Sequence, residues 1–351
     1  MAHGAPLGKS RKPCLSPSRP TPPPNEPPAL SLQLISVTAA FRRSRTLSSV
    51  VDAVGNTPYL RLENIGKNAP SVEIYLKLEF ANPGGSVKDR AALRMIQEAL
   101  KSGELEGRTL IDATSGNTGV AYAMLGAALG VKIALVMPAN VTQARKDITA
   151  AFGAGLIYSD PMEGSDGAIV KVRKIMTEQP DKYFYSDQYS NPNNPLAHYY
   201  GTGVEILDAF GDRITHFVAG LGTSGTAIGT TRRLHEHTRK IHCIAAEPAE
   251  ALHGLEGMKH MASSLVPEIF DPNVPDEIMP IGTEDGWDMA DRLANEEGLH
   301  VGHSTGANVA AALRVAERLH KDQGGGCVVT IACDRGDRYF APMKWEKRYV
   351  W

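Results

Sequence analysis

The stretch "RTLIDATSGNTGVAYAMLGAALGVKIALVMP" (108–138) decides the fold class. "RTLIDAT" and "VKIALVMP" are short apolar runs with the length of strands, and "GNTGVAYAMLGAALG" between them is long enough for a helix. Strands that are apolar throughout and are joined by a helix predict a parallel sheet that helices cover on both faces.

The same alternation recurs on both sides of this stretch. The turn-rich segment "DQYSNPNNP" (187–195) interrupts it midway, which predicts two such sheets with a ligand cleft between them. The other strand-like and helix-like runs are "EIYLKLE" (73–79), "AALRMIQEALKSG" (91–103), "ITHFVAG" (214–220), "GTAIGTTRRLHEHT" (225–238), "IHCIAAEP" (241–248), "NVAAALRVAERLHK" (308–321) and "GCVVTIAC" (326–333).

Composition excludes several classes of protein. The 351 residues are 42% hydrophobic, which suffices for two domains, and the net charge of −2 gives no nucleic-acid signature. No apolar run has the ~18 residues of a membrane span. The four cysteines have no C-x-x-C spacing and no neighbouring histidine pair, so we expect neither a disulfide framework nor a metal site.

The first 47 residues differ from the rest of the chain. "PSRPTPPPNEPP" (17–28) can form neither a ladder nor a core, so residues 1–47 are predicted to be a disordered extension rich in Pro, Arg and Ser. We expect a cytoplasmic protein. An organelle transit peptide, a loose tail and an overextended start remain open for this segment.

Three glycine-rich turns each admit more than one interpretation. "GLGTSG" (220–225) matches the dinucleotide pattern, and Glu247 stands where a ribose carboxylate would be expected. However, Thr223, Ser224 and Thr226 supply three hydroxyl groups, which suit a compact phosphate monoester at a helix N-terminus better than a pyrophosphate.

"GHSTG" (302–306) matches the nucleophile elbow of hydrolases, after the strand-like "LHV". The only histidine after Ser304 is His320, on what reads as the same helix, and Glu317 is the only acid between them, so no triad can be assembled. Ser304 is therefore predicted to be a hydrogen-bonding residue.

"TSGNTG" (114–119) offers hydroxyl groups, an amide and helix N–H groups to a small carboxylate, although a plain helix N-cap explains it equally well. "NPGGSVKDR" (82–90) places Lys88 after a flexible turn at the start of a helical pattern. Alone, Lys88 would be a solvated cation.

Together these motifs resemble the β-family (fold type II) of pyridoxal-phosphate enzymes, specifically the cysteine synthase group. The resemblance runs from about Ser48 to Tyr339 and rests on "GNTPYLRL", "NPGGSVKDR", "TSGNTG", "GLGTSGT" and "GHSTGA" in that order. It implies two three-layer α/β/α domains like those of the tryptophan synthase β chain, with the cofactor in the cleft between them. The implied parts are a smaller domain at 80–188, a larger one at 48–79 plus 189–343, and a tail at 344–351.

The resemblance also implies the roles of the site residues. Lys88 would hold pyridoxal 5′-phosphate as an internal Schiff base and then act as the proton-transfer base. Ser304 would face the pyridine nitrogen, and Asn117 the ring hydroxyl oxygen. The phosphate group would be bound by Gly222, Thr223, Ser224, Gly225 and Thr226, and the substrate carboxylate by Thr114, Ser115, Asn117, Thr118 and Gln188.

The implied reaction is a β-replacement that makes L-cysteine from O-acetylserine or O-phosphoserine through an aminoacrylate intermediate. Lys259 lies where relatives that accept O-phosphoserine carry a basic residue, and an exposed loop lysine is the alternative. The implied partners are an amino-acid substrate, a sulfur donor, for which a carrier protein is one candidate, and a second copy in a homodimer. A cystathionine β-synthase-like condensation and a non-catalytic scaffold remain alternatives, and the role of His303 is open.

Overall fold

The computed structural model describes residue 1 and residues 46–339 except 115 and 323. The predicted extension and tail therefore lie mostly or wholly outside the described residues, as does Ser115. Within the described part the strands are β1 Tyr59–Arg61, β2 Val72–Leu78, β3 Thr109–Ala113, β4 Ile133–Pro138, β5 Gly155–Ser159, β6 Tyr183–Tyr185, β7 His216–Gly220, β8 His242–Pro248, β9 Glu277–Ile281 and β10 Gly326–Ala332.

Nine α-helices connect these strands in the described residues. They are α1 Lys88–Lys101, α2 Asn117–Leu129, α3 Gln143–Ala151, α4 Gly164–Glu178, α5 Asn193–Ala197, α6 Gly203–Phe210, α7 Gly225–His237, α8 Thr283–Glu297 and α9 His303–Lys321. No helix in the described part is long and apolar enough to cross a membrane.

The larger sheet has six strands in the order β1-β2-β10-β7-β8-β9, all parallel except β1. Successive side chains of β10 point to opposite faces of the sheet, because side chains alternate along a strand. Val328 packs in a core with α8 and α9 residues, whereas Val329 packs in a second core with Ile206 of α6 and Leu234 of α7.

The smaller sheet is fully parallel, in the order β5-β4-β3-β6. Leu110 of β3 packs in a core with residues of α1 and α2, and its neighbour Ile111 packs in a core with Ile169 and Val172 of α4. Both sheets thus carry helices on both faces, which confirms the predicted α/β class.

The strands of the smaller sheet fall within 80–188, and those of the larger sheet within 48–79 and 189–343. The division into two domains at these boundaries stays a prediction. One local expectation was wrong. "LHV" (299–301) forms no strand, because Val301 makes only an isolated bridge with Arg335 before α9 begins.

Candidate active site

The predicted site residues meet at the carboxyl ends of the parallel strands, where ligands of open α/β sheets bind. A cavity of about 330 Å³ is lined by Lys88 at the start of α1 and Asn117 at the start of α2. Its other predicted members are Thr114, Thr118, Gln188, Gly222, Thr223 and Lys259.

A smaller cavity of about 40 Å³ shares Lys88 and Asn117 with the first. Ser304 and the phosphate-loop residues Gly222, Thr223, Ser224 and Thr226 also line it. The structure therefore brings the motif residues together from positions that are up to 216 residues apart in the sequence, from Lys88 to Ser304. Gly225 begins the helix that follows the loop.

The loop after β7 wraps closely around the N-terminus of α7. A β-carbon at Gly222 would overlap the carbonyl oxygen of Gly257, so only glycine fits there. Ser224 adopts a left-handed conformation with φ of 70°, and its buried Oγ has no hydrogen-bond partner among the described residues. The loop thus presents an unused hydroxyl group and helix N–H groups to the smaller cavity.

The turn after β3 serves as a helix cap. Thr114 Oγ1 accepts hydrogen bonds from the N–H groups of Gly116 (3.3 Å) and Gly119 (3.2 Å). Because a hydroxyl oxygen both accepts and donates, the cap leaves the Thr114 O–H available to a ligand. The cap and carboxylate interpretations are therefore compatible.

The side chains of Thr118 and Gln188 are hydrogen-bonded to each other in the cavity wall. Thr118 Oγ1 donates to Gln188 Oε1 at 2.8 Å, and Gln188 Nε2 donates to the Ala113 carbonyl at 2.9 Å. This pairing fixes both side chains, since each has a defined donor and acceptor, and it leaves Gln188 one amide N–H for a further partner.

Ser304 lies in the first turn of α9 and is 7% exposed. Its hydroxyl group is hydrogen-bonded to the thiol of Cys333, whose pKa burial raises to about 11, so this thiol stays protonated at neutral pH. Cys333 therefore adds no charge beside Ser304, so the hydroxyl group can act as a neutral partner for a ring nitrogen.

Lys259 lies in the cavity wall and is not an exposed loop lysine. Its side chain is 11% exposed, Nζ pairs with Asp166 Oδ1 at 3.1 Å, and Nζ lies 5.3 Å from the centre of the Tyr189 ring. His303 lies between the rings of Trp287 and Tyr339, each 5.6 Å away centre to centre, and it does not line the two cavities.

The segment "DRGDRY" (334–339) contributes side chains to which sequence reasoning gave no role. Asn117 Nδ2 donates to Asp334 Oδ2 at 2.6 Å, and the Tyr339 hydroxyl donates to the same oxygen. Arg338 donates to Asn117 Oδ1. Burial raises the pKa of Asp334. A signal was available, because polar residues directly after the apolar strand β10 are placed at the ligand-binding edge of the sheet.

Known proteins share this architecture and sequence. The model of the family "Pyridoxal-phosphate dependent enzyme" matches residues 50–334. The cysteine synthase of Aquifex aeolicus is 49% identical over 302 residues, which cover 85% of this chain and 92% of that protein. Cysteine synthase B of Escherichia coli is 42% identical and covers 84% of this chain and 95% of its own length.

Among solved structures, cysteine synthase from Entamoeba histolytica superposes with a TM-score of 0.80 at 35% identity, covering 86% of this chain and 91% of that one. Family model, sequence relatives and solved structure thus agree over the region that builds both sheets and the cavity. The chain therefore belongs to the pyridoxal-phosphate dependent enzymes, in the family that contains the cysteine synthases.

Proposed function

We propose that this protein is a cysteine synthase, which replaces the β-substituent of an activated serine with a sulfur nucleophile. The observation that carries the proposal is the convergence of Lys88, Asn117, the loop at 222–226 and Ser304 on one cavity. The similarity of this chain to cysteine synthases over most of its length supports the same reaction.

The residues of the site fit pyridoxal phosphate. The loop after β7 offers the buried, unpartnered Ser224 hydroxyl and the N-terminus of the 13-residue helix α7, which suit a phosphate monoester. At the other side, Lys88 supplies the amine and Asn117 an amide donor, while Ser304 supplies a neutral hydroxyl group. When bound, this cofactor supplies an electron sink for a carbanion at the amino-acid α-carbon.

The chain's own residues perform the remaining work. Lys88 Nζ would hold the cofactor covalently and, once released, take the proton from the substrate α-carbon. Thr114 and Gln188 would bind the substrate carboxylate, with helix N–H groups of α2 favouring its charge. Thr118, whose hydroxyl group donates to Gln188, would hold Gln188 in place for this contact. Ser304 beside the neutral Cys333 thiol would not favour a protonated ring nitrogen, which suits loss of a β-substituent.

The test begins with purified protein and pyridoxal phosphate. We expect a bound chromophore, and formation of cysteine from O-acetylserine and sulfide. Lys88→Ala should lower turnover by more than about 100-fold, because the proton-transfer base is lost. Lys101→Ala is the matched control, since Lys101 ends the same helix with its side chain 78% exposed.

Each alternative has its own outcome in this test. Protein that binds no cofactor would favour the non-catalytic scaffold. Protein that is loaded but condenses serine with homocysteine faster than it uses sulfide would favour the cystathionine β-synthase-like reaction. Unchanged turnover in Lys88→Ala would refute the assignment. The same assay with thiosulfate and a carrier thiocarboxylate identifies the sulfur donor.

A homodimer and a cytoplasmic location are proposed on the resemblance to the family alone. Sedimentation of the full chain would test the oligomeric state.

A further inference from the structure

The guanidinium group of Arg338 lies between the start of α2 and the turn that precedes Lys88. Arg338 belongs to a short 3-10 turn, Gly336–Tyr339, after β10. Nη1 donates to Asn117 Oδ1, and Nη2 donates to the carbonyl oxygen of Gly84. One side chain thus joins two positions that are 33 residues apart in sequence, Gly84 and Asn117. Asn117 lines the cavity, and the turn at Gly84 leads to Lys88, which also lines it.

These contacts settle the orientation of the Asn117 amide. A guanidinium group has only donors, so the amide atom that faces Arg338 must be the oxygen. The nitrogen then faces Asp334, to whose Oδ2 it donates at 2.6 Å. One of the two amide hydrogens is used in this bond, and the second is left for a ligand in the cavity that Asn117 lines.

Arg338 also fixes the backbone of the turn that leads into Lys88. The backbone of Gly84 is held on both sides, because its N–H donates to Asp89 Oδ2 while its carbonyl oxygen accepts from Arg338. Gly85 has a φ of 78°, and a β-carbon there would overlap the guanidinium nitrogen of Arg338. The turn at Gly84 and Gly85 therefore packs directly against the Arg338 guanidinium group.

We propose that Arg338 is a positioning residue for the cofactor, acting through Asn117 and the Gly84 carbonyl. This inference rests on the proposed function, which places Asn117 and Lys88 against the cofactor ring. With its oxygen engaged by Arg338, the Asn117 amide can only present N–H, the donor that a ring oxygen anion requires. The cation also strengthens this N–H as a donor, since linked hydrogen bonds polarise one another.

The experiment measures cofactor affinity, by equilibrium dialysis of apo-protein against pyridoxal phosphate with the absorbance spectrum recorded at saturation. We expect Arg338→Met to weaken binding by about tenfold to a hundredfold, as loss of a charged hydrogen bond predicts. Arg335→Met is the matched control. It removes an arginine from the same segment, but Arg335 is 61% exposed and pairs with Asp337, so wild-type affinity is expected.

A double-mutant cycle separates positioning from a merely structural effect. If Arg338 acts through Asn117, Arg338→Met should weaken binding much less in the Asn117→Ala background than in the wild type. Should Arg338→Met fail to fold, Arg338→Lys answers the same question, because lysine keeps the charge but cannot donate to both oxygens in the fork geometry of arginine.

The outcomes distinguish this inference from the proposed function. Wild-type protein that binds no pyridoxal phosphate overturns both. Wild-type protein that binds it, with equal affinity and spectrum in Arg338→Met or Arg338→Lys, overturns only the role of Arg338. Fully additive losses in the cycle also overturn it, because Arg338 would then act independently of Asn117.

Discussion

At the residue scale, Lys259 bears on the choice between O-acetylserine and O-phosphoserine as the substrate. Its ammonium group lies in the cavity wall with Asp166 as its partner, and Arg145 enters the same cavity paired with Glu256. The Lys259 ammonium group suits an anionic β-substituent, and Asp166 holds it in the cavity wall. From this arrangement we predict that the site also accepts O-phosphoserine.

Lys259→Ala should therefore affect the two donors differently. We expect kcat/KM for O-phosphoserine to fall by about tenfold or more, since one charged hydrogen bond to phosphate is lost, and kcat/KM for O-acetylserine to change by less than about threefold. Steady-state kinetics with both donors checks this. Lys174→Ala, which removes a 76% exposed lysine from α4, is the control. An undiminished phosphoserine reaction in Lys259→Ala would rule out the phosphate contact.

At the element scale, a buried ion network fixes α1 behind the site. Arg90 of α1 donates to Glu79 and to Glu205 of α6 at 2.6–2.9 Å, and Lys77 of β2 pairs with Glu205 at 2.6 Å. Lys77 and Glu79 are fully buried. The charges of the two cations and the two anions balance. Because α1 begins at Lys88, the network also fixes the position of that lysine.

Glu205→Gln should destabilise the protein by roughly 3 kcal/mol at pH 7, because Lys77 and Arg90 lose a buried anionic partner. Burial alone would raise the pKa of Glu205, but Arg90 and Lys77 outweigh burial and hold the pKa at about 2. A lowered folded-state pKa gives stability that is present above the unfolded value of about 4.3 and is lost as pH falls towards 2.

The difference between wild type and Glu205→Gln should thus shrink from pH 4.5 to pH 2, as measured by urea unfolding at each pH. Glu178→Gln, on an exposed pair with Lys174, should match the wild type throughout. A difference that is independent of pH would mean that the charge of Glu205 does not stabilise the fold.

The sequence predicts the long apolar elements better than the short ones. β4 and β10 are recognisable because they are apolar throughout, whereas β1 and β6 have three residues each and carry no periodic signal. The glycine turns were recognisable because a turn at a strand end needs particular residues. Asp334 and Arg338 follow β10 and so could have been placed at the ligand-binding edge, but their contacts with Asn117 could not be predicted, because these span 217 and 221 residues and exist only once the two sheets are assembled.

At the scale of the whole molecule, the mouth of the cavity is bridged from the smaller sheet's side to the larger sheet's side. Arg145 of α3 pairs with Glu256, which follows β8, and its guanidinium carbon lies 5.4 Å from the centre of the Tyr339 ring. All three residues line the cavity. We predict that a bridge at this position holds the two walls together over a bound substrate and helps to exclude water from the reaction.

Glu256→Arg should raise KM for the amino-acid substrate by up to about fivefold, because a partly exposed ion pair contributes about 0.2–1 kcal/mol and like charges now repel across the mouth. The swap Arg145→Glu with Glu256→Arg restores the pair in reverse and should recover most of the loss. Both effects should weaken at 0.5 M salt, which screens exposed charges. Steady-state kinetics at low and high salt provides the measurement.

Swapping Arg292 and Glu296, an ion pair on α8 away from the cavity, should leave KM unchanged. A reversed pair that fails to recover KM would show that Arg145 acts on the substrate directly and not by closing the mouth.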